Sequence, residues 1–150
     1  MERSATELKS FQEKFLIPQL TVAHTNSWVL SVRPEQITYG STVISSRLGK
    51  MSLSELTPEE GGELTSLLGK IENIMCESYK AERLNVLCLM MVDPVVHFHV
   101  IPRYSKPLNM HGLDWVDADY PAPVQIRPAP TSMTSLTEIV SELSGKLLDT

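Results

Sequence analysis

The chain has little of what marks several protein classes. Its two cysteines, Cys76 and Cys88, form no CxxC pair and no disulfide framework. One falls in a helical pattern and the other in an apolar run, so both read as buried thiols. No apolar stretch approaches the ~20 residues of a membrane span, and the mixed-charge N-terminus lacks an apolar signal region. These absences predict a cytoplasmic protein without membrane contact. A net charge of −5 argues against a nucleic-acid polymer as partner, whose phosphates demand a basic surface. A single nucleotide needs only local donors and stays open. There is no internal repeat and no low-complexity linker. What remains is 150 residues with 42% apolar and 21% charged content, which predicts one domain over 1–150 with a real core.

Periodicity then divides the chain. Leu8, Phe11 and Phe15 at helical spacing predict an N-terminal helix over about 6–16, ended by Pro18. Leu20 to Thr25 and Trp28 to Val32 read as two strands around Asn26-Ser27, and Ser41 to Ser45 as a third. Thr57, Pro58 and Glu60 make a strong helix start, with Thr57 as cap and Glu60 closing a capping box. Leu64, Leu67, Leu68, Ile71, Ile74 and Met75 form one stripe, carrying that helix to about Tyr79. Residues 105–130 are rich in Pro, Asp and Gly and predict an ordered irregular segment, with Trp115 and Tyr120 packing it down. A second capping box at Ser135 and Glu138 opens a final helix. Trp28 reads as core; His24 and His111 read as ordinary, satisfied histidines.

Between the long helix and residue 105 lies the stretch that organises the rest. Asn85 to Val92 reads as a strand, Asp93-Pro94 as a tight turn, and Val95 to Ile101 as a second strand. Alternation puts Val95, His97, His99 and Ile101 on one face, with the two imidazoles roughly 7 Å apart at the backbone. Such a pair can hold a metal. It can also handle a phosphate, one ring attacking phosphorus and the other donating to oxygen. The plainer alternative is two rings on a solvated sheet face. For a metal, a carboxylate such as Asp93, Asp114 or Asp117 would have to join, and none lies at local metal spacing.

The run His97, Phe98, His99, Val100, Ile101, Pro102, Arg103 resembles the end of the signature of histidine triad nucleotide hydrolases and transferases. With the residues from Leu89 to Tyr104 it is similar to a bacterial branch related to diadenosine polyphosphate hydrolases. The resemblance covers about residues 20–104 and implies an α+β fold. Its core is a mostly antiparallel five-stranded sheet with a long helix, to which N- and C-terminal helices are added. It implies a homodimer that takes a nucleotide or dinucleotide and needs no cofactor or metal. On this alignment His97 is the nucleophile and His99 donates to a phosphate oxygen.

The first histidine of the triad falls on Val95. In the family that position also lends its backbone carbonyl to orient the nucleophile, and valine keeps the carbonyl. The lost imidazole donor costs on the order of 1–3 kcal/mol, or ~10–100-fold in rate if felt in the transition state. Ser41 follows Gly40 where relatives often carry Gly-His. Arg33 stands where an Asn or Asp is often used on the ribose. Arg103 either neutralises phosphate or pairs with a carboxylate. The resemblance therefore implies a hydrolase through a nucleotidyl-histidine, with Arg103, Val95, Ser41 and Arg33 as substrate-binding positions. Its alternatives are a nucleotide-binding protein with little turnover and a metal-binding module.

Overall fold

A computed structural model describes residues 2–149. Five strands form one antiparallel sheet: β1 (Thr21–His24), β2 (Trp28–Val32), β3 (Thr42–Ser46), β4 (Arg83–Leu87) and β5 (His97–Arg103). Their order across the sheet is β1-β2-β3-β5-β4. The chain leaves β3, crosses by a long helix to the far edge as β4, and turns back to insert β5 between them. The chain is thus an α+β structure in which β5 sits inside the sheet and β4 is an edge.

The long helix α2 (Pro58–Tyr79) follows the capping logic. The Glu60 amide donates to Thr57 Oγ1 at 3.2 Å, and the Thr57 amide donates to the Glu60 carboxylate at 3.1 Å. Lys80, left-handed at φ 65°, stops it. The stripe on α2 (Leu67, Ile71, Ile74) and that on the last helix α3 (Met133–Leu148) pack on one sheet face against Leu30, Ile44 and Val100. Trp28 is buried in this layer, its indole N–H donating to the Glu60 carbonyl at 2.8 Å. His111 is tied down between Tyr39 Oη (2.9 Å) and the Glu138 carboxylate (3.2 Å).

The opposite face carries a smaller cluster of Phe11, Phe15, Val43 and Val95. The first helix, α1 (Glu2–Lys14), starts and ends earlier than its periodicity predicted. Leu16 sits at φ 54°, which no helix can propagate through. Burying each phenylalanine ring stabilises the docking of α1 by about 1.5–3 kcal/mol. The ion pair from Lys14 to Asp93 at 2.8 Å involves a half-exposed lysine and is worth ~0–1 kcal/mol. The rings, not the ion pair, hold α1 on the sheet.

Three further expectations are corrected. The strand expected over Asn85–Val92 is Arg83–Leu87, and residues 88–96 form a wide loop rather than a tight turn at Asp93-Pro94. Met91 and Val92 are strongly exposed there, so the apolar run was not a buried strand. The segment after residue 105 contains a two-stranded hairpin, β6 (Leu108–Met110) with β7 (Leu113–Trp115). Finally, α3 begins one turn earlier than Ser135, with Ser132 accepting the Ser135 amide at 3.1 Å. No described helix is long and apolar enough to cross a membrane.

Candidate active site

Alternation along β5 sends Phe98 and Val100 into the core beneath α2 and turns His97 and His99 to the face covered by α1. Ser45 stands opposite His97 in the sheet, and Val43 opposite His99. These small neighbours leave room for two rings whose centroids lie 5.1 Å apart, nearly perpendicular at 82°.

Hydrogen bonding assigns each ring a different tautomer. His97 Nδ1 lies 2.6 Å from the Val95 carbonyl oxygen. A carbonyl only accepts, so Nδ1 carries a hydrogen, and in the neutral ring Nε2 is left with a bare lone pair. His99 Nδ1 faces Arg33 Nε at 3.3 Å. A guanidinium only donates, so Nδ1 is the acceptor and the hydrogen of His99 sits on Nε2. Burial, then the Arg33, His97 and Lys14 charges, push the His99 pKa down to about 4, with Asp93 opposing. His99 is therefore neutral at pH 7. One ring presents a nucleophilic nitrogen and its neighbour an N–H donor.

Both rings line a cavity of about 420 Å³. Lys14 and Phe15 form one wall, Arg33 to Glu35 a second, and Leu89 to Asp93 a third. Phe11 and Phe15 press on His97 at ring distances of 5.2 and 5.9 Å, and Phe15 reaches His99 at 6.3 Å. His97 is 3% and His99 7% exposed, so access to either runs through this cavity.

The residues named from sequence part company here. Arg33 joins the histidines. Val95 contributes its carbonyl, while its side chain lies with Phe11, Phe15 and Val43 and does not line the cavity. Ser41 is buried in the loop before β3, where its hydroxyl donates to the Thr38 carbonyl at 2.8 Å. Gln36 Oε1 gathers the amides of Gly40 and Ser41. Gly40 is required there, because it sits at φ 83° and a Cβ would overlap the Met75 methyl.

Arg103 lines a different cavity, along β4. It donates four hydrogen bonds, to Asp117 at 2.7 and 3.2 Å, to Asn85 Oδ1 at 2.6 Å and to the Ala122 carbonyl at 2.7 Å. Burial would raise the Asp117 carboxyl, but Arg103 and the Tyr104 amide hold it below the ordinary range. Among the described residues no three His, Cys, Asp or Glu side chains are grouped to hold a metal ion. Asp93 pairs with Lys14, Asp114 accepts from Asn109, and Asp117 serves Arg103.

Sequence reasoning missed the walls. Phe11 and Phe15 were read as a packing stripe, and only their i, i+4 spacing hinted that both would meet one surface. Lys14 and Glu35 carried no signal. Leu89 to Val92 were apolar because they wall a cavity and a surface loop, not because they pair in a sheet.

No protein-family model and no curated protein matches the chain. Solved structures do. A histidine triad protein from Bradyrhizobium japonicum aligns over 91% of this chain and 93% of its own, with TM-score 0.68 and 18% identity. One from Marinobacter aquaeolei covers 86% and 88%, with TM-score 0.68 and 18% identity. The diadenosine triphosphate hydrolase of Plasmodium falciparum covers 95% and 97%, with TM-score 0.66 and 13% identity. With its five-stranded antiparallel sheet, three helices and paired histidines on the fourth strand in sheet order, the chain has the fold of the histidine triad proteins.

Proposed function

We propose that this chain is a nucleotide hydrolase or nucleotidyl transferase working through a covalent nucleotidyl-histidine. His97 Nε2 attacks the α-phosphorus of a nucleoside phosphoester, phosphoanhydride or phosphoramidate. The P–N bond forms as the bond to the leaving group breaks, and the leaving group departs with the electron pair of that bond. His99 donates from Nε2 to a phosphate oxygen and stabilises charge as it builds. Water then attacks phosphorus, the P–N bond breaks, and a nucleoside monophosphate is released. Its proton leaves with solvent and restores the bare Nε2.

The observation that carries this reading is the opposite tautomers of the two rings. The Val95 carbonyl and Arg33 each determine one of them. Arg103 is set aside as a phosphate group, since it lines another cavity and four of its five N–H donors are used within the fold. The test is a mass spectrum of protein quenched with a dinucleoside polyphosphate. An added nucleotidyl group on His97, absent in His97→Ala, is expected. Hydrolysis at equal rates by wild type and His97→Ala would eliminate the mechanism.

A second reading, nucleotide binding with little turnover, draws on the two phenylalanine rings pressed against His97. It predicts binding without adduct. We read the chain as a single cytoplasmic domain that pairs as a homodimer. Support for pairing comes from the free edge of β4 and the exposed Val86, Leu89, Met91 and Val92 beside it.

A further inference from the structure

We propose that Arg33 holds a second anionic group of the substrate, a phosphate distinct from the one His97 attacks. This rests on the phosphate-handling reading of the histidine pair. The argument begins with an imbalance of charge. Apart from histidines, four charged side chains are buried among the described residues: Arg33, Glu60, Arg103 and Asp117. Glu60 is paired with Lys50, and Arg103 with Asp117. Arg33 is 8% exposed and forms no ion pair among the described residues. It has only neutral acceptors, His99 Nδ1 at 3.3 Å and the Glu35 carbonyl, 2.8 Å from Nη1. A buried guanidinium without an ion-pair partner is costly, and the Glu35 carboxylate, which acts on Arg33 from beyond ion-pair distance, does not outweigh the burial.

The remaining donors have somewhere to put that anion. Nη2 makes no hydrogen bond among the described residues, and Arg33 lines the cavity that holds both histidines. The anion is not the scissile phosphate. Arg33 occupies the Nδ1 edge of His99, whereas the scissile group is held from Nε2, and the two nitrogens of an imidazole face nearly opposite ways. Two anionic groups on either side of one ring require a substrate with two phosphates. The second is either on the leaving-group side, as in a polyphosphate chain, or on the ribose.

Calorimetric binding of AMP, ADP and adenosine 3′,5′-bisphosphate, in chelator to exclude divalent ions, separates these sources. Binding of ADP about 10–100-fold tighter than AMP places the second phosphate on the leaving-group side. The same gain for the bisphosphate places it on the ribose. Arg33→Gln is expected to erase the gain and Arg33→Lys to keep part of it. Affinities of all three within twofold in the wild type overturn the proposal, as does a gain that survives Arg33→Gln. The wild-type comparison needs no variant to fold. The His97 adduct is measured separately, so loss of this inference leaves the covalent mechanism standing, and loss of the adduct does not imitate loss of the anion site.

Discussion

Acidifying the solution from pH 7.5 to 4.5 should cost the folded chain roughly 2–3 kcal/mol through His99 alone. The ring is 7% exposed and lies against Arg33 and His97, with Lys14 nearby and Asp93 the opposing charge. Burial, and then those positive neighbours, bring its folded pKa from 6.5 to about 4. Between these values the unfolded chain binds the proton and the folded chain does not. Stability is therefore complete above pH 6.5 and falls as pH drops toward 4, because protonation favours the unfolded state. Two and a half pKa units correspond to about 3 kcal/mol in full, most of it already lost at pH 4.5. Urea denaturation at both pH values, for wild type and for His99→Gln, isolates this contribution from that of the carboxylates. The wild type should lose roughly 2–3 kcal/mol more than the variant between the two conditions. Equal losses in both proteins would mean that His99 titrates alike folded and unfolded, and the tautomer assigned through Arg33 would fall with it.

Other expectations follow from the same geometry. Arg103→Ala should destabilise by about 3–5 kcal/mol, seen as a lower urea midpoint, because Asp117 would be left buried without its cation. An unchanged midpoint would return Arg103 to consideration as a ligand group. Val95→His should lower stability by about 1–3 kcal/mol without raising turnover, since its side chain is enclosed by Phe11, Phe15 and Val43 rather than facing the cavity. A faster enzyme would show instead that a ring at position 95 reaches the phosphate.

Much of this architecture could be read beforehand, and the exceptions have physical causes. Thr57, Pro58 and Glu60 announce α2 because capping is local chemistry, satisfied within one turn. The alternation from Val95 to Ile101 put both imidazoles on one face because strand geometry leaves no other choice. Leu89 to Val92 misled because an apolar run carries no mark of whether it is buried in a sheet or walls a cavity. Phe11 and Phe15 could not be assigned to the histidine face, since a helical stripe declares that it packs and not against what. Resemblance puts Arg33 near the site, but its contact with the His99 ring depends on its side chain reaching from the loop after β2 past β3 to β5. Nothing local in the sequence encodes that reach.

Orienting His97 through the oxygen of residue 95 has a consequence for side-chain choice. Every amino acid supplies that oxygen, so Nδ1 of His97 keeps its acceptor whichever side chain stands there. The side chain at 95 answers only to the phenylalanine-lined wall it packs against. The aim of the ring is thus written in the path of the main chain rather than in the letter carried at that position.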